Sequence, residues 1–288
     1  MEATRITTKE IQKTQELIDF IKKSPSCYHV IHNIAEELEE AGYEQLNEAK
    51  EWTLRKGGRY FVTRNQSSLI AFTLPEETLG GFLICASHSD SPTFKLKSNY
   101  EMTVDDRYLK LNVEKYGGMI CSTWLDHPLS VAGRVVVNRK DGIESVLVNL
   151  DQDLCLIPNL AIHMNRQINE GYAYNAQKDM LPLLGEGTAK GKLKELLAEA
   201  AGVEEEALLG YDLFLYLREG GRIWGAEQEF YSSPKIDDLQ CVFASKEAFL
   251  QAENTGMSKV LAIFDNEEVG SGTKQGAKST FLSDVLAR

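Results

Sequence analysis

The chain reads as an α/β protein interrupted by a mainly β insertion, and three observations predict this. Apolar, β-leaning runs alternate with amphipathic helical stretches up to about residue 94 and again from residue 234. Between 95 and 233 the pattern changes to many short strand-like runs separated by Gly-bearing turns. The residues suited to chemistry fall just after strand-like runs of the flanking segments, where open α/β sheets place their sites. The expected division is therefore 1–94 and 234–288 as two parts of one α/β domain, with 95–233 as an inserted, β-rich second domain.

Residues 8–23 predict an amphipathic helix with Ile11, Leu17, Ile18 and Ile21 on or near one stripe. Ser24-Pro25-Ser26 stops it, and Ser26 is placed to cap a second helix over about 27–41, ended by Gly42. On that helix His29 and His32 stand three apart, a spacing that can chelate, but packing and surface roles are expected. Residues 59–64 and 68–72 predict a hairpin about Asn65-Gln66-Ser67. The run Gly81 to Ser87 is apolar on both faces, as an inner strand is, and it delivers His88 and Asp90 at its end. In the insertion, 135–137 and 145–148 predict strands, 190–201 predicts a helix closed by Gly202, and 217–222 an exposed charged loop. From Lys235 the α/β pattern returns: Asp237-Asp238-Leu239 opens a helix of about 238–252, and the apolar strand 259–264 follows. Lys278 to Arg288 predicts a last helix with no C-cap and no closing strand, so the sequence is expected to be an N-terminal part of a longer protein, with an exposed apolar sheet edge.

Composition excludes several function classes. At 288 residues the chain has room for one large or two modest domains, and 43% hydrophobic with 26% charged residues is an ordinary globular mixture. A formal charge of −12 argues against nucleic acid or an anionic membrane as the main partner. The N-terminus, Met1 to Arg5, has no apolar core of a signal peptide, and no run approaches the roughly 18–20 apolar residues a membrane helix needs. Cys27, Cys85, Cys121, Cys155 and Cys241 are scattered without a C-x-x-C pair, which predicts reduced thiols in a cytoplasmic protein. Cys85 and Cys241 lie in apolar runs and are expected in the core. The sequon at Asn65-Gln66-Ser67 is read as chance.

Three strand ends supply His88, Asp90, Asp237, Asp238, Glu267 and Glu268. Taken separately, His88 reads equally as a core or surface histidine, Asp237 or Asp238 as a helix N-cap, and a Glu pair as solvated loop. Together, imidazole and carboxylates without thiolates suit catalytic zinc, or cobalt or manganese. Asp90 is placed to accept a hydrogen bond from the ring nitrogen of His88 that faces away from a metal. Asp237 can bridge two cations, and Glu267 can take a proton from a shared water.

His88-Ser89-Asp90-Ser91-Pro92, Asp237-Asp238-Leu239 and Phe264 to Ser271 (Phe-Asp-Asn-Glu-Glu-Val-Gly-Ser) resemble the metal-site motifs of the M18 metallopeptidases, the aspartyl aminopeptidase family. The similarity continues through 20–29, 60–72, Thr123-Trp124-Leu125-Asp126, Gly133-Arg134, 157–163 and Gln275-Gly276-Ala277. It implies a three-layer, zinc-aminopeptidase-like catalytic domain carrying a β-rich dimerisation or lid domain. It further implies two zinc ions, with His88 on one, Asp237 bridging both and Glu268 on the second, Glu267 as general base and Asp90 as the partner of His88. His163, an ordinary strand residue on local pattern, resembles the histidine that a neighbouring subunit projects toward the active site. No role is expected of His127.

The activity this resemblance implies is removal of N-terminal residues, acidic Asp or Glu among them, from peptides. The implied partners are peptides and further copies of the chain, assembled as a tetrahedral dodecamer around an enclosed chamber. Asp238 departs from the family's usual Asn and adds negative charge. The family also places a further metal-binding Asp and a last metal-binding His downstream, beyond anything in this sequence. The rival expectations are a related co-catalytic zinc aminopeptidase or deacylase of other specificity and, if Arg288 is the true end, a catalytically dead assembly subunit.

Overall fold

The computed structural model describes residues 6–253 and 256–288, so the reading of Met1 to Arg5 lies outside the described residues. The chain divides into two compact units, 1–91 with 220–288, and 92–219. Residues 220–233, grouped with the insertion on sequence pattern, fall in the first unit. Their two strands pair only with each other, and Tyr231 packs against the helical core of that unit.

The first unit opens with helix α1 (Thr8–Lys23), whose N-terminus is closed by a reciprocal pair: Thr7 accepts the amide of Glu10, and Glu10 accepts that of Thr7. Helix α2 (Cys27–Glu40) has Ser26 at its N-cap, but the hydroxyl does not bond the helix backbone; it meets His29 Nδ1 at 2.8 Å. Strands β1 (Glu44–Leu46), β2 (Arg59–Arg64), β3 (Ser68–Thr73) and β4 (Phe82–His88) follow.

The second unit holds β5 (Thr93–Val104), β6 (Tyr108–Tyr116), β7 (Leu129–Arg139), β8 (Gly142–Asn149), β9 (Leu183–Glu186), α3 (Lys192–Ala201) and β10 (Leu208–Leu217). Its strands form a six-stranded antiparallel sheet in the order β8-β7-β10-β5-β6-β9. One face of that sheet, with Phe94, Leu96, Val131, Val135, Leu213 and Leu215, closes over Trp124 and over Leu193 and Leu197 of α3.

The chain then re-enters the first unit with the hairpin β11 (Arg222–Trp224) and β12 (Phe230–Ser232), helix α4 (Ile236–Gln251), strand β13 (Ser258–Phe264) and helix α5 (Phe281–Ala287). The sheet order is β1-β2-β3-β13-β4, mixed in direction, with β13 parallel to β4 and antiparallel to β3. Both faces are apolar, and the two-residue period sorts them cleanly. Phe61, Leu69, Ala71, Leu261 and Ile263 face α1, α2 and α4, whereas Tyr60, Val62, Ile70, Phe72, Val260 and Ala262 face α5, Trp52 and Leu54. Helices on both sides of one sheet make the three layers expected from the resemblance.

Among the described residues β4 closes the strand order, and its Phe82, Leu83 and Ile84 are 39%, 49% and 46% exposed, an exposed apolar sheet edge as expected from the sequence. Two cysteine placements are corrected. Cys85 and Cys241 are both exposed rather than packed in the core. An apolar run reports that a strand suits burial; it does not report how many neighbours cover it. A third correction concerns His163, which lies exposed in a turn rather than in a strand.

Candidate metal centre

Parallel pairing of β13 with β4 sets Phe264 opposite His88, so the two strands end side by side. Beyond β13 the chain turns through Asn266 at φ 61° into a single 3-10 turn, Glu267–Val269. Helix α4 begins beside them. Asp237 and Asp238 are non-helical in φ and ψ and are joined by a cis peptide, and regular helix starts at Leu239. Asp238 is pinned there because its Oδ2 accepts the backbone N–H of His88 at 3.0 Å.

Asp90, 3% exposed, is the centre of the arrangement. Its Oδ1 accepts the amide of Glu267 and its Oδ2 that of Glu268, both at 3.2 Å, so one carboxylate sets the direction of both glutamates. His88 Nδ1 lies 3.2 Å from Asp90 Oδ1 and 3.1 Å from the Asp90 carbonyl. Two acceptors at Nδ1 keep a proton there and turn Nε2, the nitrogen that would bind a metal, toward the carboxylates. From Nε2 the nearest carboxylate oxygens are Asp237 at 3.4 Å, Asp238 at 3.8 Å and Glu267 at 3.9 Å.

The structure thus brings together His88, Asp90, Asp237, Glu267 and Glu268, the residues expected on sequence grounds. His163 belongs to the other unit. The structure also brings in Asp238, which sequence reading placed among the strand-end candidates without assigning it a ligand role. The signal that finds it is its position beside Asp237 at a helix start that delivers carboxylates to a strand end.

The residues fit a divalent cation on their own evidence. His88 with Asp237 and Asp238, and His88 with Glu267 and Glu268, each present donor atoms within 4.8 Å of one another. Glu268 Oε1 is buried and has no hydrogen-bond partner, an orphaned carboxylate oxygen that a cation would satisfy. Electrostatics agree. Burial holds the carboxyl of Glu268 up, to about 7, with the charges of Asp237 and Asp90 adding to it. Burial pulls His88 down, but hydrogen bonding to Asp90 and the charges of Asp90, Asp238 and Glu267 outweigh it, to about 9. A hydrogen bond to Asp238, then burial, push the thiol of Cys241 up to about 11. The cluster carries more negative charge than one imidazolium offsets, which is the setting in which a metal ion is held.

Comparison with known proteins identifies the family. A family model described as "Aminopeptidase I zinc metalloprotease (M18)" matches residues 20–288. The "Probable M18 family aminopeptidase 2" of Clostridium acetobutylicum is 46% identical over 287 residues, covering 97% of this chain and 66% of its own length. Among solved structures, Ape4 in its complex with Nbr1 superposes with a TM-score of 0.92 at 34% identity, over 98% of this chain and 60% of that one. The mApe1 dodecamer of S. cerevisiae gives 0.82 at 31% identity, over 95% and 65%. The chain thus spans about two thirds of the length of the curated relatives it matches. With the family model matched over residues 20–288 and relatives up to 46% identical over nearly the whole chain, the chain belongs to the M18 family of zinc metalloproteases.

Proposed function

We propose that this protein is a metal-dependent aminopeptidase that removes N-terminal residues, acidic ones among them, from peptides. The observation that carries the reading is that His88 gathers Asp237 and Asp238 on one side and Glu267 and Glu268 on the other, each set with donor atoms within 4.8 Å, with a buried, unpartnered oxygen on Glu268. Acidic preference rests on the motif resemblance.

His88 Nε2, Asp237 and Glu268 would hold the metals, with Asp238 close enough to join them. Bound zinc, two ions in this proposal with cobalt or manganese as substitutes, supplies Lewis acidity toward a carbonyl and acidity to a water. The protein side of the reaction falls to Glu267. Its side chain is 57% exposed and so open to substrate, while its amide is fixed on Asp90. Glu267 accepts the proton of the attacking water at a carboxylate oxygen as the new C–O bond forms. It then gives that proton to the leaving amine nitrogen as the C–N bond breaks. Asp90 keeps the ring of His88 in one tautomer and orientation throughout.

The protein is proposed to act in the cytoplasm as a homo-oligomer, in line with the dodecamer of its yeast relative and with five scattered cysteines that form no C-x-x-C pair. His163, exposed among Leu160, Ile162 and Met164, is proposed to reach a neighbouring subunit's site. The test is hydrolysis of Asp-, Glu-, Leu- and N-acetyl-Asp chromogenic substrates with and without a chelator. Chelator-sensitive release from free N-terminal Asp and Glu is expected, and Glu267→Gln should lower kcat by about 10²–10⁴ with zinc content unchanged. Faster cleavage of the N-acetyl substrate, or indifference to the chelator, would reject the reading.

A further inference from the structure

The segment bearing Glu267 and Glu268 is folded back on itself. The amide of Asp265 donates to the Gln275 carbonyl at 3.2 Å, and that of Ser271 to the Asn266 carbonyl at 2.7 Å. Asn266 Oδ1, one residue before Glu267, accepts from Thr273 Oγ1 at 2.7 Å and Gln275 Nε2 at 2.9 Å. The two limbs lie so close at Gly276 that a Cβ there would stand 2.4 Å from the Ser271 carbonyl oxygen. The outer limb, 273–276, therefore decides where Asn266 sits, and Asn266 sets the start of the turn that aims both glutamates.

Arg64, at the end of β2, ties that limb to the body of the unit. Its Nη1 donates to the Lys274 carbonyl at 3.1 Å. Nε reaches both oxygens of Glu48 at 3.1 Å, and Nη2 reaches Glu48 at 2.5 Å and Asp284 of α5 at 3.1 Å. The guanidinium lies 4.3 Å from the ring centre of Phe281, which is fully buried, and the Arg64 side chain is only 15% exposed. A planar fork with five donors serves these three acceptors in one fixed geometry, which a lysine cannot reproduce.

We propose that Arg64 is a positioning residue for the metal-binding carboxylates: by holding 273–276 against β2 and α5 it fixes Asn266, and through it the direction of Glu267 and Glu268. The inference rests on the metal-site reading and adds a residue remote from the donor cluster to it.

The test uses the 288-residue chain with Arg64→Gln, Arg64→Lys and, as a control, Arg288→Ala. Arg288 packs over Trp52 at 4.8 Å and donates to the Glu48 carbonyl, so it braces the same helix without reaching the loop. Zinc affinity is measured by competition with a chromogenic chelator, and exchange of the Glu267 and Glu268 amides by hydrogen–deuterium exchange, beside thermal unfolding. Arg64→Gln should weaken zinc about 10-fold or more and speed exchange of those amides, the scale expected for groups that orient metal ligands. Arg64→Lys should fall between, and Arg288→Ala should lower the melting temperature while leaving zinc affinity unchanged. Wild-type zinc affinity in Arg64→Gln, or equal weakening in Arg288→Ala at equal loss of stability, would overturn the assignment. Absence of zinc binding by the unsubstituted chain would instead show that the donors of these 288 residues do not suffice for the metal, and would not bear on Arg64. Exchange would then decide alone: faster in Arg64→Gln upholds the brace, unchanged refutes it.

Discussion

Asp90 shows how much one buried carboxylate can organise. It accepts two backbone amides and faces His88 Nδ1, so each oxygen has a donor that only an acceptor can satisfy. Asp90→Asn would turn one oxygen into an NH₂ group pointing at an N–H. The expected result is a loss of about 1–3 kcal/mol in stability and a 10- to 100-fold fall in zinc affinity. Thermal unfolding and chelator competition measure the two separately, and unchanged zinc affinity would show that Asp90 does not orient His88. A second residue-scale effect is remote from the site. Burial pulls His29 down to about 4 from 6.5, helped by the charges of Lys235 and His32. The folded value lies below the unfolded one, so the unfolded chain binds more protons between pH 4 and 6.5. Stability from a neutral His29 is thus present above pH 6.5 and is lost as pH falls toward 4, on the order of 3 kcal/mol in all. His29→Gln should flatten the pH dependence of the melting temperature in that window. At this scale His88, Asp237, Glu267 and Glu268 were legible, because carboxylates and a histidine just past apolar runs are a local pattern. Asp238 was not assigned as a donor. Its place depends on the His88 amide it accepts, 150 residues away in sequence.

At the scale of elements, α1, the β2–β3 hairpin and α3 were legible from period, capping and turn residues, all of them local signals. What the sequence hid was neighbourhood. The run of β4 looks like that of β13, and the sequence does not tell which of the two ends the strand order among the described residues, where β13 lies between two strands and β4 lies last. The exposure of Cys85 and Cys241 has the same cause. Composition records what a strand tolerates, whereas sheet order is set by pairings far apart in the chain. This gives a contrast between two apolar residues. Leu83→Lys, at a site 49% exposed on the edge, should leave the melting temperature nearly unchanged and raise solubility, since an edge charge blocks strand addition. Phe281→Ala, fully buried between α5 and the sheet, should cost about 3–5 kcal/mol. Denaturant unfolding and a precipitation series separate the outcomes. A large loss from Leu83→Lys would mean that the β4 edge is covered in solution.

At the scale of the whole molecule, two cores serve two roles. The first unit builds its core from segments on both sides of the insertion, because β13 and α4 must meet β3 and β4 before His88, Asp237 and Glu268 can converge. The second unit is one continuous stretch, 92–219, and its core is drawn entirely from that stretch. Its sheet is antiparallel throughout, with the successive pairs β5–β6 and β7–β8 as local pairings that close short loops. A unit with its own continuous core should fold without the rest of the chain. Residues 92–219 expressed alone are expected to unfold cooperatively in urea. They also carry a built-in probe: Trp124, 8% exposed and edge-on to Phe94 at 5.2 Å, is the single tryptophan in the stretch. Its emission should be that of a buried indole and should shift to longer wavelength in one step with the loss of β signal in circular dichroism. A solvent-exposed emission at zero urea would show that this core needs the other unit. The insertion would then be an integral part of one folding unit, not a module carried by it.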